Sequence, residues 1–196
     1  PMDPDNFLCV DRLQPPCTVL SFGIAYDFDF DPVLLNRGCR VWSFDPDMEP
    51  GNYEINERHK FFRLGLGTAD GDNVDPDSTY NKIGSYKTKT FDTILKEMGV
   101  ERVDVVRMDI EGAEWAILDS MFSSPVAPIK FDQLLLEIHL DRNSMLNIIA
   151  QARVLQHLRT SMKLFYSVPN FWRSWYLFKD MTPVHELGFV IATDET

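Results

Sequence analysis

The sequence has 196 residues, 44 % of them hydrophobic and 25 % charged, which is the composition of a folded globular chain and excludes a disordered or collagen-like one. Its 30 acidic residues exceed its 19 Lys and Arg by 11, which argues against a broad nucleic-acid-binding surface, because such surfaces concentrate basic side chains. No stretch approaches 18 consecutive apolar residues, so the sequence predicts no membrane span.

Short apolar segments alternate with amphipathic ones in a domain that we place at 17–196, after an N-terminal extension at 1–16. The apolar segments predict seven strands, at 17–23, 40–44, 60–66, 103–108, 131–138, 164–168 and 186–192. The segments between them predict helices at 31–38, 90–98, 111–122 and 143–162. Asp31 followed by Pro32 has the pattern of a helix N-cap and a first-turn proline. The polar segment 67–89 is predicted to be a loop with at most an edge strand.

Strands that alternate with helices predict right-handed βαβ units and a parallel sheet. The connection between the last two predicted strands has no clear helix, which favours an antiparallel neighbour over a crossover. The predicted fold class is therefore α/β. We expect a Rossmann-like, seven-stranded, mostly parallel sheet with helices on both faces and an antiparallel last strand.

Acidic residues exceed basic ones mainly in 1–50 and 101–150, and many of these acids directly follow a predicted strand. Ligands of open α/β sheets bind at the carboxyl ends of the strands, so this placement favours a site over a solvated surface. Asp45 ends the second strand, where a carboxylate can accept ribose hydroxyls; the alternative is an N-cap for a following helix. Gly23 is the only glycine in the segment that ends the first strand, so the G-x-G-x-x-G pattern of dinucleotide-binding loops is missing. Its absence disfavours NAD and FAD as ligands. A cationic ligand with a ribose but no phosphate fits best.

Three segments resemble the FkbM-type and related methyltransferase-like S-adenosylmethionine-dependent methyltransferases. They are Ser21-Phe22-Gly23, the run from Gly38-Cys39-Arg40-Val41 to Phe44-Asp45-Pro46, and Met108-Asp109-Ile110-Glu111-Gly112-Ala113-Glu114. The third segment is the most specific of them. The resemblance implies the class I methyltransferase fold and S-adenosyl-L-methionine as cofactor. The chain departs from the usual Gly-x-Gly-x-Gly loop, of which it keeps one glycine.

The resemblance also implies a set of cofactor-binding residues along the carboxyl ends of the strands. The residues at the end of the first strand would lie close to the methionine part of the cofactor. Those at the end of the second strand would hold the ribose, and those at the end of the third would lie near the adenine. The residue after the fourth strand would face the cofactor's amino group or the reacting centre. In that order they are Ser21, Phe22 and Gly23; Asp45 and Pro46; Gly65 and Leu66; and Asp109.

The expected reaction is methyl transfer from a sulfonium to a hydroxyl oxygen, which needs alignment and a base or metal to activate the hydroxyl. His139 is the predicted base, with Asp109 and Glu111 as further catalytic residues; a histidine hydrogen-bonded within the fold is the alternative. Asp109, Glu137 and His139 together could bind Mg²⁺ or Mn²⁺. Glu114, in the first turn of its predicted helix, is interpreted as structural.

The acceptor is predicted to be a small molecule or a carbohydrate, with no nucleic acid as partner, and the sequence does not indicate the oligomeric state. A non-catalytic Rossmann-like module that binds S-adenosylmethionine is the alternative function. A nucleotide-dependent oxidoreductase is a third hypothesis, which depends on Asp45 alone. Aromatic residues at 170–176 could stack on a ring of the acceptor or fill hydrophobic space, and 80–89 could form a mobile lid.

The cysteines leave the compartment open between the cytoplasm and the lumen of the secretory pathway. Cys9 and Cys17 could bridge in an oxidising compartment, whereas Cys39 begins an apolar run and is predicted to be a core residue. The sequence begins with Pro1 rather than Met, so we expect the natural N-terminus to lie upstream. The remaining histidines show no partner pattern and are predicted to be surface or packing residues: His59, His157 and His185.

Overall fold

The computed structural model describes residues 8–49, 51–73, 86–122, 129–139, 145–169 and 184–191. Its strands are β1 (Cys17–Phe22), β2 (Cys39–Phe44), β3 (Tyr53–Asn56), β4 (His59–Phe62), β5 (Gly65–Leu66), β6 (Gly71–Asn73), β7 (Tyr86–Lys89), β8 (Val103–Met108), β9 (Phe131–His139), β10 (Met162–Pro169) and β11 (Val184–Ile191). Its α-helices are α1 (Phe30–Asn36), α2 (Phe91–Met98), α3 (Glu114–Phe122) and α4 (Met145–Ser161).

Eight strands form the main sheet, in the order β10-β11-β9-β8-β1-β2-β4-β3. The five central strands from β9 to β4 run parallel, and β11 lies antiparallel between β9 and β10. The predicted α/β class and the antiparallel last strand are confirmed. The added strand is β3, which pairs antiparallel with β4 at the edge and packs the Tyr53 ring 5.0 Å from that of Phe61.

The predicted third strand is divided in the structure. β4 ends at Phe62, whose carbonyl accepts a hydrogen bond from the Leu64 N–H in a tight turn. The next residues, Gly65 and Leu66, form β5 in a second sheet of order β5-β7-β6. The prediction of at most one edge strand within 67–89 was therefore wrong, because β6 and β7 lie there and pair with each other and with β5.

The first helix begins one residue before the predicted cap. Asp29 precedes α1 and makes no capping hydrogen bond through its side chain. The Asp31 side chain is buried instead, where it accepts a 2.7 Å hydrogen bond from the Ser43 hydroxyl and lies 2.8 Å from His59 Nε2. Asp31 therefore ties α1 to β2 and β4, and His59 is a buried packing residue with polar partners.

The core has two layers, because alternate residues of each strand face opposite sides of the sheet. Leu20 and Phe22 of β1 face a cluster to which α2, α3 and α4 contribute, whereas Val19 faces α1. Leu8 joins the α1 side, and the Cys9 backbone exchanges two 3.0 Å hydrogen bonds with the buried Gln133 side chain. Residues 8–13 of the predicted extension thus pack against the sheet.

The cysteine prediction was wrong about the partner. Cys17 bonds to Cys39 in a disulfide, and Cys9 is a free thiol. The reason is the register of the sheet, in which Cys17 and Cys39 are directly paired as the first residues of two adjacent parallel strands. Sequence separation alone does not reveal this pairing, because it arises only when β1 and β2 align.

Reduction of the disulfide is expected to destabilise the domain. Because it closes a loop between residues 22 apart, chain entropy predicts a loss of roughly 3 kcal/mol in the free energy of unfolding for Cys17→Ser. Urea unfolding followed by circular dichroism measures this loss. The matched control is Cys9→Ser, which removes the free thiol and should leave the unfolding midpoint unchanged; equal effects of the two substitutions would contradict the assignment.

Two of the predicted loop features lie largely outside the described residues. The aromatic segment 170–176 is one, and of the predicted lid at 80–89 only the last four residues are described, as β7. Among the described helices, none combines the length and apolar character that crossing a bilayer requires.

Candidate active site

The carboxyl ends of β1, β2 and β8 are joined by backbone contacts that leave no room for a side chain at Gly23. The Gly23 N–H donates to Phe44 O at 2.9 Å, and the Asp109 N–H donates to Phe22 O at 3.1 Å. Gly23 has φ +76°, and a Cβ there would lie 1.6 Å from the Asp109 carbonyl oxygen. The single glycine of the predicted cofactor loop is therefore required by the close approach of two strand ends.

Asp45 holds the loop after β1 with one carboxylate oxygen and the turn after β2 with the other. Its Oδ2 accepts from the Ala25 N–H and its Oδ1 from the Asp47 N–H, each at 2.8 Å, and the residue is only 6 % exposed. Ala25 and Tyr26 both have positive φ, at 45° and 64°. The alternative of an N-cap does not apply, because the described residues between β2 and β3 form no helix. Each carboxylate oxygen keeps a second lone pair for a ligand.

The segment after β8 makes a left-handed turn rather than the predicted first turn of a helix. Glu111 and Gly112 have φ of 56° and 103°, so α3 begins only at Glu114. The buried Glu114 carboxylate accepts from the Ile110 N–H at 2.9 Å and from the Gly112 N–H at 2.8 Å. A non-glycine residue in this conformation is uncommon and concentrates at functional sites.

His139, at the end of β9, is surrounded by carboxylates. Its Nε2 lies 3.3 Å from Glu111 and 3.6 Å from Glu137, and its Nδ1 lies 3.2 Å from Glu114. Burial by itself lowers the pKa of His139, but hydrogen bonds and charge from Glu111 and Glu114 outweigh burial and raise the pKa to about 10. The cluster therefore stabilises a positive charge at this position.

The predicted metal ligands are brought together. One oxygen each of Asp109 and Glu137 and one ring nitrogen of His139 all lie within 4.8 Å of one another. Two carboxylates and one imidazole suit Mn²⁺, and the carboxylates also suit Mg²⁺. The donor set therefore fits a divalent cation, whose charge would compensate the same carboxylates that now face the imidazole. Glu111, whose side chain is 36 % exposed, reaches the cluster from the solvent side.

The other predicted cofactor residues lie in β1, directly after β2 and in the second sheet. Ser21 and Phe22 are buried within β1, where the Phe22 ring stacks 4.7 Å from that of Phe44. Pro46 follows Asp45, and its carbonyl accepts a hydrogen bond from Arg63. Gly65 and Leu66 lie in the second sheet. Their contacts with a cofactor stay predictions.

A cavity of about 730 Å³ lies elsewhere, between β2, β4, β7 and α2, and no predicted site residue lines it. Its lining includes the aromatic Trp42 and several cations, most of which have partners within the protein. The Arg40 guanidinium lies 5.5 Å from the Trp42 ring centroid, and Lys60 lies 3.2 Å from Glu54. We therefore take the carboxylate cluster, rather than this cavity, as the candidate site.

Sequence reasoning missed the part that Glu114 takes in the site. The spacing of Glu111 and Glu114 suggested neighbouring positions on a helix, but the left-handed turn sends Glu114 inward to His139. The sequence signal that could have indicated this turn is Gly112, because glycine readily adopts a positive φ that a helix cannot contain. In the structure its φ is +103°.

The strand order and the antiparallel β11 are those of the class I methyltransferase fold. The family described as "Methyltransferase FkbM domain" matches residues 22–188, and the chain belongs to that family. The resemblance that the sequence motifs carry is thereby confirmed.

Two curated proteins are similar to this chain in sequence. "Probable methyltransferase-like protein 24" of Homo sapiens is 30 % identical over 129 residues, which cover 63 % of this chain and 33 % of that protein. Its Rattus norvegicus counterpart is 31 % identical with the same coverage. The chain thus matches about a third of the length of these relatives.

Two solved structures that resemble the chain contain S-adenosylhomocysteine. Human methyltransferase-like protein 13 is 13 % identical, with a TM-score of 0.44 over 92 % of this chain and 74 % of that one. TrmK of M. capricolum is 10 % identical, with a TM-score of 0.41 over 93 % and 66 %.

Proposed function

We propose that this protein transfers a methyl group from S-adenosylmethionine to a hydroxyl oxygen of a small molecule or a carbohydrate. The observation that carries the proposal is the meeting at one sheet edge of the Gly23–Asp45 loop contacts with the Asp109, Glu137 and His139 donor set. The Gly23 and Asp45 contacts suit the methionine part and the ribose of the cofactor, and the donor set of Asp109, Glu137 and His139 suits activation of an acceptor hydroxyl.

On the cofactor side, Asp45 accepts the ribose hydroxyls through the lone pairs that Ala25 and Asp47 leave free. Gly23 lets the methionine part approach the backbone, and the carboxylates at the edge favour a cationic sulfonium. Pro46 lies beside the ribose, and Gly65 and Leu66 beside the adenine. Ser21 and Phe22 support this surface from within β1.

On the acceptor side, the hydroxyl oxygen forms its bond to the methyl carbon as the carbon–sulfur bond breaks, and the hydroxyl proton passes to the Glu111 carboxylate. Glu111 is the partly exposed carboxylate of the cluster, so it can exchange this proton with solvent. A divalent cation held by Asp109, Glu137 and His139 would lower the pKa of the acceptor hydroxyl. We prefer this ligand role to that of a base for His139, because its raised pKa keeps a metal-free imidazole protonated at neutral pH.

We also propose that the domain works in an oxidising compartment such as the secretory lumen. The support is the buried Cys17–Cys39 disulfide, because structural disulfides persist mainly in such compartments. In the cytoplasm thiols stay reduced, so the disulfide that links β1 to β2 would not persist there.

A non-catalytic module that binds S-adenosylmethionine is the second candidate, favoured by the single glycine of the loop after β1. Incubation with radiolabelled S-adenosylmethionine and a panel of hydroxyl acceptors separates the two functions. Cofactor binding without transfer to any acceptor, together with unchanged binding in His139→Gln, would favour the module.

Asp45→Asn is expected to weaken S-adenosylhomocysteine binding at least about 100-fold. The substitution impairs the two hydrogen bonds that the ribose hydroxyls are proposed to donate to the carboxylate, and each hydrogen bond to a charged group contributes roughly 1.5–3 kcal/mol. Isothermal calorimetry and the ligand-induced rise in melting temperature measure the effect. Asp47→Asn, at the same turn, is the matched control and should bind nearly as the wild type does. Absence of binding by the wild-type protein at millimolar ligand would overturn the proposed function, whereas full binding by Asp45→Asn would overturn only the role of Asp45.

A further inference from the structure

Glu114 is the most deeply buried acid near the site, with 0 % of its side chain exposed. A buried carboxylate is costly unless hydrogen bonds satisfy it. Its Oε1 accepts from the Ile110 N–H, its Oε2 accepts from the Gly112 N–H, and His139 Nδ1 lies 3.2 Å from Oε1. One side chain therefore joins the left-handed turn after β8 to the imidazole at the end of β9.

The residue next to Glu114 fixes the backbone of the same histidine. The buried Trp115 donates its indole N–H to the His139 carbonyl oxygen at 2.7 Å. The first two residues of α3 therefore hold the main chain and the ring of His139 separately. With Nδ1 directed to Glu114, Nε2 is turned toward Glu111 and Glu137.

We propose that Glu114 is a positioning residue, which holds the His139 ring so that Nε2 is presented to the Asp109 and Glu137 carboxylates as a metal ligand. The inference rests on the proposed metal role of His139. A carboxylate that accepts from the second nitrogen of a ligating histidine fixes the tautomer and the ring orientation, and its loss typically costs 10–100-fold in metal affinity.

A purely structural role would have a different signature. If Glu114 served only to tie the turn through Ile110 and Gly112, its substitution would lower stability without changing the state of the His139 ring nitrogens. The protection of the Nδ1 proton from exchange with water therefore separates the two roles, and it can be measured without metal, cofactor or acceptor.

The test uses the whole chain labelled with ¹⁵N-histidine, in EDTA, with the His139 ring resonances assigned from a His139→Gln spectrum. We expect a slowly exchanging Nδ1 proton in the wild type, its loss in Glu114→Gln, and its retention in the control Trp115→Phe, which keeps the carboxylate partner. A proton that stays protected in a folded Glu114→Gln overturns the proposal. If Glu114→Gln does not fold, the wild type decides: exchange as fast as that of the half-buried His157 ring overturns it.

Manganese titration by electron paramagnetic resonance gives the second readout. We expect Glu114→Gln to bind Mn²⁺ about 10–100-fold more weakly than the wild type, with unchanged affinity for S-adenosylhomocysteine. Unchanged Mn²⁺ affinity in Glu114→Gln would overturn the positioning role. A wild type that binds no Mn²⁺ would overturn both the metal role of His139 and the positioning of a ligand, while S-adenosylhomocysteine binding would still report on the methyltransferase function.

Discussion

Gly23→Ala is expected to abolish S-adenosylhomocysteine binding and to destabilise the fold by more than about 4 kcal/mol, the range in which backbone clashes of buried sites fall. The new Cβ would lie 1.6 Å from the Asp109 carbonyl oxygen, which is backbone and cannot rotate away. The strand ends of β1 and β8 would have to separate, and the Gly23 N–H would leave Phe44 O. Urea unfolding and calorimetric titration of the ligand measure the two effects.

The matched control is Gly99→Ala. Gly99 also has a left-handed backbone, with φ +67°, but a Cβ there would meet no atom within 4 Å. The substitution therefore carries the conformational cost alone, about 1–2 kcal/mol, and should leave ligand binding intact. If Gly23→Ala is no more harmful than Gly99→Ala, the close approach of the Gly23 loop to Asp109 is not present in the protein.

His139→Gln is expected to weaken Mn²⁺ binding more than about 100-fold, since loss of a direct ligand costs more than loss of its hydrogen-bond partner. Glutamine keeps a polar side chain of similar length but cannot bring a ring nitrogen to the Asp109 and Glu137 oxygens. Isothermal calorimetry with Mn²⁺ measures the change. His157→Gln is the control, because that imidazole stacks on Phe122 and lies outside the carboxylate cluster; equal weakening by both substitutions would contradict the site.

The same two variants, in EDTA, test the electrostatics of the cluster. The pKa of His139 is raised from 6.5 to about 10 in the folded protein. The stabilisation by the protonated ring is therefore complete below pH 6.5 and is lost as the pH rises through 10. Urea unfolding across this range should show His139→Gln costing most stability at the acid end and least near pH 10. A cost that does not change with pH would contradict the carboxylate environment.

Much of the fold could be predicted because its cause is local. Strands such as β8 and β9 contain short apolar runs, Val105-Val106 and Leu134-Leu135-Leu136, and β-propensity and turn residues set the strand limits to within a few positions. The predicted parallel sheet then follows from the alternation of strands and helices in right-handed βαβ units. Strand β3 and the second sheet escaped prediction, because their mostly polar residues are held by pairing with β4 and β7 rather than by an apolar pattern of their own.

The site was predictable in position and less so in detail. Because parallel strands end at one edge, Asp45, Asp109, Glu137 and His139 could be expected there from their place at or directly after the end of a strand. The hydrogen bond from the Ala25 N–H, in the loop after β1, to Asp45 could not, because it depends on two consecutive left-handed residues, Ala25 and Tyr26. Neither residue type favours that conformation, and only the tertiary contacts impose it.

The sequence by itself determined the class of fold and the family, and it predicted the sheet edge at which the candidate site lies, since these depend on local patterns and short motifs in the chain. Only the tertiary structure decided that Cys17 pairs with Cys39, that Asp31 is buried beside His59, and that Glu114 faces His139. These contacts join residues distant in sequence. They exist only where strand register, helix start and backbone turn together bring two side chains within bonding distance, a condition that local patterns do not encode.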